Sequence, residues 1–158
     1  MKHAITLVFS ALFATNTLAA SLPEEALQDG SPIGPYDAVE ANLSDFLWLK
    51  RPIVVFSDTP ADPRFKRQIE LLEARADALV DRDVVVLVDT DPQEPSAIRE
   101  KLRPRGFMLV LIGKDGGVKL RKPFPWDVRE LSRAIDKIPL RRQELEEKRA
   151  TQALELGN

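Results

Sequence analysis

Most of the side chains that carry covalent catalysis in proteins are missing from this 158-residue sequence. It contains no cysteine, and its one histidine is His3. Thiol–disulfide exchange and thiol peroxidation require a thiolate, so both are excluded. Catalysis by Ser-His-Asp or Cys-His, and zinc binding by cysteine or histidine, also lack their residues if His3 leaves with a signal peptide. We therefore expect no catalytic residue, no cofactor and no bound metal.

The loop Ser57–Ala61 is the first candidate site, because it holds a carboxylate and a hydroxyl between an apolar run and a helix. The hydroxyl of Thr59 is a poor nucleophile without a base. A turn and helix cap is the favoured interpretation of these residues. The alternative is a carboxylate- or arginine-dependent enzyme, which requires a deep cleft where Asp58, Arg51 or Arg105 converge.

A run of basic residues is the second candidate site. Its members are Arg99, Lys101, Arg103, Arg105, Lys119, Arg121 and Lys122. If they converge, they can bind phosphate, sulfate, an anionic glycan or an acidic partner. A solvated edge strand is the competing interpretation, because lysines on an edge discourage strand addition. The residues that we predict to bind a ligand are Arg51, Asp58, Thr59, Arg103, Arg105, Lys114 and Arg121.

Charge is distributed unevenly along the chain. Residues 21–95 contain 7 basic and 16 acidic residues, a net charge of −9, whereas residues 96–142 contain 13 and 5, a net charge of +8. Such a split can create a cationic face that attracts an anionic partner, although intramolecular pairing of charges explains it as well. Since the whole chain has a net charge of −2, we do not expect it to bind nucleic acid.

Two loops resemble ligand-binding loops but lack residues that those loops need. Gly113–Gly117 has no Gly-Lys-Ser/Thr ending and opens no helix, so a hairpin turn is expected instead of a phosphate loop. Asp89–Glu100 has a faint calcium-loop spacing, but Glu94 stands where glycine is required. We expect Asp91-Pro92 to cap a helix there.

The first twenty residues have the composition of a secretory signal peptide. Lys2 is positive, Ala4–Ala14 is apolar, and small residues mark a cleavage site after Ala19 or Ala20. The apolar run is shorter than the about 20 residues that span a bilayer, and no cysteine follows to carry a lipid. A buried N-terminal helix is the alternative. We expect a periplasmic or secreted protein without a membrane anchor, and a periplasmic protein or anionic ligand as its partner.

Apolar runs and periodicity predict the elements that position both candidate sites. Strands are predicted at Ile53–Phe56, Val84–Val88, Phe107–Ile112 and Val118–Arg121, and helices from Asp62 to Leu79, Ala97 to Leu102 and Asp127 to Ile138. The first two strands should be parallel because a helix joins them, and the last two should form a hairpin. The order β-α-β-α-β-β-α predicts an α/β domain with a mixed central sheet and a thioredoxin-like arrangement.

Three stretches carry a resemblance to a known family: Arg51–Phe56, Gly113–Lys119 and Ile135–Arg142, in this order. Together they resemble DUF4174, a domain of unknown function found in exported bacterial proteins and in animal sushi-repeat and matrix proteins. The resemblance covers about residues 40–145. It implies export and a fold related to thioredoxins and peroxiredoxins, in which the loop after the first strand usually carries the chemistry. It implies no established activity.

We accordingly divide the chain into four parts: a signal peptide (1–20), an extended lead-in (21–36), a single thioredoxin-like domain (37–140) and a charged C-terminal helix or tail (141–158). The predicted function is that of an exported, non-catalytic binding or interaction module. The first alternative is a non-thiol enzyme or anion-binding protein that uses the loop after the first strand. The second is an accessory protein that acts through its charged C-terminal segment.

Overall fold

A computed structural model of the chain describes residues 33–156, so the predicted signal peptide and most of the predicted lead-in lie outside the described residues. The strands are β1 (Tyr36–Asp37), β2 (Arg51–Phe56), β3 (Val84–Asp89), β4 (Met108–Ile112) and β5 (Val118–Lys122). The helices are α1 (Pro63–Glu73), α2 (Ala76–Val80), α3 (Ala97–Leu102), α4 (Val128–Asp136) and α5 (Pro139–Leu156), and a 3-10 helix spans Leu43–Phe46.

The five strands form one mixed sheet in the order β1-β3-β2-β4-β5. The central strand β2 is parallel to β3 and antiparallel to β4, and β5 forms a hairpin with β4. Every residue of β2 is buried, because helices cover both faces of the sheet. Continuous apolar runs are what strands covered on both faces require. The predicted α/β class and mixed central sheet are confirmed.

Alternate residues of β2 serve two separate cores, since successive side chains of a strand point to opposite faces. Ile53 and Val55 pack with α1, α2 and α4 on one face. Val54 and Phe56 pack with α3 and the 3-10 helix on the other. The chain therefore leaves the carboxyl end of β2 toward one face and the carboxyl end of β3 toward the opposite face. Such a divergence creates the crevice where open α/β sheets usually bind ligands.

The single helix predicted from Asp62 to Leu79 is two helices. The backbone of Arg75, at φ −139° and ψ 40°, lies outside the helical region and separates α1 from α2. Before the break the chain tightens, because the N–H of Arg75 donates to the carbonyl of Leu72 three residues earlier. Leu72 and Leu79 are nevertheless buried in the same core. The spacing of apolar residues therefore predicted the buried face correctly, but it did not predict the break between α1 and α2.

Both ends of the described chain add to the sheet domain. Ile33, within the predicted lead-in, is buried, and its carbonyl accepts a hydrogen bond of 2.7 Å from the N–H of Val86. The charged C-terminal segment is a helix, α5, none of whose residues is buried. None of the helices between residues 33 and 156 is both long and apolar enough to cross a membrane.

Gln68 on α1 holds the loop that leads from β5 to α4. Its side chain is fully buried, its Nε2 donates to the carbonyl of Trp126 at 3.1 Å, and its Oε1 accepts from the N–H of Trp126 at 2.7 Å. The amide therefore pairs with the backbone as a neighbouring strand would.

Gln68→Leu should lower the free energy of unfolding by about 2–3 kcal/mol, because it leaves a backbone donor and a backbone acceptor of Trp126 without their partner. Urea unfolding followed by circular dichroism measures the difference. The matched control is Lys66→Leu on the exposed side of the same helix, which should change stability by less than about 0.5 kcal/mol. Equal unfolding midpoints for the two variants would contradict this role of Gln68.

Candidate functional site

The crevice between the carboxyl ends of β2 and β3 is filled by a side chain of the protein itself. Arg99 of α3 is 7% exposed, and its Nη2 donates to the carbonyls of Ser57 at 2.7 Å and of Asp89 at 2.9 Å. Its Nε donates to Oδ1 of Asp89 at 2.8 Å. The guanidinium also lies over the ring of Phe56, 5.3 Å from the centroid. These contacts tie the ends of both strands to α3.

Asp89 is the buried counter-charge of Arg99. Its Oδ2 accepts hydrogen bonds from the hydroxyl of Ser96 at 2.6 Å and from the N–H of Ser96 at 3.3 Å. Burial disfavours ionisation of the carboxyl, but the hydrogen bonds from Arg99 and Ser96 outweigh it, so the pKa of Asp89 lies below its ordinary value. Asp89 is therefore a fully engaged carboxylate and is not available as a general base.

Ser96 caps α3, which corrects the expectation that Asp91-Pro92 would do so. The hydroxyl oxygen of Ser96 accepts from the N–H of Arg99 at 3.0 Å. The carboxylate of Asp91 instead accepts from the N–H of Gln93 and closes a local turn. Ser96 is held in position because its hydroxyl also donates to Asp89.

The loop after β2 uses its hydroxyl groups for turn structure. The hydroxyl of Ser57 donates to the carbonyl of Thr59 at 2.8 Å, and the hydroxyl of Thr59 accepts from the N–H of Ala61 at 3.3 Å. Asp62 then caps α1 by accepting from the N–H of Arg64 at 2.8 Å. These contacts agree with the turn-and-cap interpretation of the loop.

The seven predicted binding residues fall into two groups at opposite ends of the sheet. Asp58 and Thr59 follow the carboxyl end of β2, whereas Arg51 begins that strand. A six-residue strand separates the two ends by about 17 Å. Arg103 and Arg105 lie near the carboxyl end of β2, as Asp58 does. Lys114 lies near its amino end, as Arg51 does. Arg51 therefore does not converge with Asp58, and of the two arginines named in the enzyme alternative only Arg105 lies at the same end of β2 as Asp58.

We use the name arginine surface for Arg103, Arg105 and Arg121, which surround the carboxyl end of α3. Arg103 ends α3 in the left-handed conformation, and Nη1 of Arg121 donates to the carbonyl of Leu102 at 2.8 Å. Arg103 and Arg105 are exposed, and the guanidinium of neither forms a hydrogen bond or ion pair with any residue between 33 and 156. Their loop adjoins Asp58, since a Cβ on Gly106 would lie 3.7 Å from its Oδ2.

The opposite end of the sheet holds an ion-pair cluster, which we call the Arg51 cluster and which comprises Arg51, Asp83, Lys114 and Glu144. Arg51 is completely buried, and its Nη2 donates to Oε1 of Glu144 at 2.7 Å. Nζ of Lys114 lies 2.8 Å from Oδ2 of Asp83 and 3.1 Å from the same Oε1. Burial disfavours ionisation of Glu144, but its hydrogen bonds to Arg51 and Lys114 outweigh burial and lower its pKa.

Two hollows on the surface of residues 33–156 are small. One of about 150 Å³ lies between the start of the 3-10 helix and α3, with Ile98 and Lys101 in its lining. Another of about 90 Å³ lies beside Asp37, Asp89 and Asp91. Pockets for small organic ligands usually exceed about 300 Å³, so both are smaller than that class. Among residues 33–156, no group of three or more histidine, cysteine, aspartate or glutamate side chains could hold a metal ion.

Comparison with known proteins gives a family and a fold. Residues 42–144 match the family described as "Domain of unknown function (DUF4174)". The structure is similar to that of Prx1a from Plasmodium yoelii, with a TM-score of 0.50 and 19% identity over 65% of this chain and 81% of that chain. It is also similar to reduced 2-Cys peroxiredoxin from Plasmodium vivax, with a TM-score of 0.52 and 18% identity over 65% and 85%. These likenesses show a thioredoxin-like fold, which confirms the predicted arrangement.

Arg99→Met should lower the free energy of unfolding by about 3–5 kcal/mol near pH 7, because it leaves the carboxylate of Asp89 buried without its counter-charge. Since the pKa of Asp89 is lowered in the folded protein, its contribution is present above the unfolded value of about 4 and is lost as the pH falls below it. The difference between wild type and variant should therefore shrink toward about pH 3.

Urea unfolding at several pH values between these limits measures this difference. The control is Lys101→Met, which removes an exposed cation from the same helix and should change stability little at either pH. A penalty for Arg99→Met that is independent of pH would show that Asp89 is not the group that loses its partner.

Proposed function

This chain belongs to the DUF4174 family of domains of unknown function, and from that premise we propose that it is a non-catalytic binding module for an anionic partner. The partner is an acidic protein segment or an anionic ligand, and the arginine surface is where it binds. The observation that carries this proposal is the pairing state of the arginines at the carboxyl end of the sheet. Arg99 is buried and neutralised there, while Arg103 and Arg105 are exposed and unpaired within residues 33–156.

The filled crevice supports binding on the surface over catalysis within the fold. A ligand in the crevice would have to displace a guanidinium that makes four polar contacts with Ser57 and Asp89. The unpaired guanidinium groups lie outside the crevice, where water already solvates them. Guanidinium groups bind carboxylate and phosphate oxygens through two parallel hydrogen bonds, which gives an exposed pair of arginines geometric selectivity for anions.

The charge distribution supports the same partner class. The segment that contains the arginine surface, residues 96–142, has a net charge of +8 within a chain of net charge −2. Part of that excess is neutralised by acidic residues outside the segment, as in the pairs of Arg99 with Asp89 and of Lys114 with Asp83. Arg103 and Arg105 belong to the remainder, and they steer an anionic partner toward this end of the sheet.

Arg103→Asn combined with Arg105→Gln should weaken the binding of a fluorescently labelled poly-glutamate peptide by about fivefold to tenfold at low salt. Asparagine is chosen at position 103 because it tolerates the left-handed backbone of Arg103. The matched control is Lys148→Gln with Arg149→Gln on the exposed part of α5, which removes the same charge. Fluorescence anisotropy measures affinity. Equal losses in the two double variants, or no binding by the wild type, would refute the proposal.

Export is part of the proposed function and rests on the signal peptide expected at residues 1–20. The full chain expressed in a Gram-negative host should reach the periplasm with Ala20 or Ser21 as its first residue. N-terminal sequencing of the periplasmic fraction tests this. A chain that keeps residues 1–20 and stays in the cytoplasm would contradict export and leave binding at the arginine surface to be judged by the peptide titration.

A further inference from the structure

Two of the predicted anion-binding residues, Arg51 and Lys114, lie close together. The anion between them is the carboxylate of Glu144, a residue of the protein itself. Oε1 of Glu144 lies 2.7 Å from Nη2 of Arg51 and 3.1 Å from Nζ of Lys114. Arg51 is fully buried, and the side chain of Lys114 is only 12% exposed. The two cations therefore form a built carboxylate site, about 17 Å along β2 from the arginine surface.

Glu144 does not satisfy this site completely. It meets Arg51 through Oε1 alone, and the same oxygen also accepts from Lys114. The Nε of Arg51 is buried and has no hydrogen-bond partner among the described residues. A carboxylate that lies in the plane of a guanidinium takes two parallel hydrogen bonds, and Glu144 leaves one of these donors unused. A better placed carboxylate would bind Arg51 more strongly.

The helix that carries Glu144 makes polar contacts with the domain and has two half-buried apolar side chains, Leu140 and Leu145. None of the residues of α5 is buried, and Leu154 and Leu156 near its end are 76% and 89% exposed. Its other anchor is Arg141, whose Nη2 donates to the carbonyl of Asp81 at 2.8 Å. Because neither apolar core of the sheet contains a residue of α5, displacement of this helix leaves both cores covered.

An exposed apolar patch lies directly beside the site. Leu47, Trp48 and Leu49 are 39%, 66% and 65% exposed, although three consecutive large apolar residues are normally covered. Trp48 has a φ of 63°, a backbone conformation that a bulky side chain rarely adopts. The hydrogen bond of 2.8 Å from its N–H to the carbonyl of Lys114 fixes the patch next to the cation. A partner segment seated on Arg51 and Lys114 would find this apolar surface uncovered.

We propose that Arg51 and Lys114 form a second binding site, which takes an acidic segment of a partner polypeptide, and that Glu144 on α5 occupies this site as a stand-in until such a segment displaces it. The ligand group is a carboxylate, because the site already holds one. The proposal goes beyond the proposed function, since it concerns the opposite end of the sheet and different cations.

The test supplies α5 as a separate peptide. A labelled peptide of residues 139–156 is titrated into the full chain carrying Glu144→Ala, in which the stand-in carboxylate is gone, and a second peptide carries the same Glu144→Ala change. The intact peptide should bind this chain at least about tenfold more tightly than the altered peptide. It should bind the wild-type chain at least about tenfold more weakly, because the attached α5 competes at a high effective concentration.

Two further variants locate the binding. Lys114→Gln in the Glu144→Ala chain should weaken the intact peptide by about fivefold or more. Arg103→Asn with Arg105→Gln in that chain should leave its affinity unchanged, which separates this site from the arginine surface. Equal affinities of the two peptides, or equal binding by the wild-type and Glu144→Ala chains, would overturn the proposal.

A chain with Glu144→Ala leaves Arg51 buried with Asp83, 3.8 Å from its Nη1, as the remaining counter-charge, so its stability is a second measurement. Glu144→Gln keeps the shape of the side chain and serves if the alanine variant does not fold. The intact peptide should raise the melting temperature of the glutamine variant, and the altered peptide should not. The absence of any shift with the intact peptide would equally overturn the proposal.

Discussion

The buried ion pair between Arg99 and Asp89 determines how the carboxyl end of the sheet is built. Burying two charges costs several kcal/mol in desolvation, and their mutual attraction returns about as much. Such a pair is favourable only where the remaining donors and acceptors are also satisfied. Here the carbonyl of Ser57 and both polar groups of Ser96 complete the network. Because these groups come from the loop after β2, the end of β3 and the start of α3, the pair fixes three elements relative to one another.

The same pair explains why the crevice that this topology creates is filled by a side chain of the protein. The chain diverges to opposite faces after β2 and β3, which opens the position where α/β sheets usually bind ligands. Arg99 occupies that position, and the hydroxyls of Ser57 and Thr59 form hydrogen bonds within the loop after β2. The likeness to peroxiredoxins therefore extends to the scaffold, while Ser57, Thr59 and Arg99 form structural hydrogen bonds at this end of the sheet.

Local patterns were enough to predict four of the five strands and most of the helices, because a run such as Val84–Val88 reveals its burial by composition alone, whereas the two-residue strand β1 has no such run. The pairing of charges was not predictable in this way. Arg51 and Glu144 are separated by 93 residues, and nothing near Glu144 marks it as the partner of a buried arginine. Arg99 did carry a signal, since it lies one and three residues from the apolar positions of α3, on the face of Ile98 and Leu102. An arginine on the apolar face of a helix indicates a buried counter-charge. Arg103 and Arg105 follow the last residue of α3 and therefore carry no such signal.

Each end of β2 thus has an ion pair between a buried arginine and a carboxylate, but the two pairs differ in how firmly their elements are held. Arg99 lies on α3, so separating it from Asp89 requires α3 to leave the sheet and to uncover the core that Ile98 and Leu102 share. The nearer counter-charge of Arg51, Glu144, lies on a helix without a buried residue, and neither core contains a residue of that helix. The exposure of a buried charged group can change when the helix that covers it can move away. If Glu144 is displaced as we propose, this asymmetry makes the carboxyl end of β2 the fixed end and its amino end the part of the domain that responds to a partner.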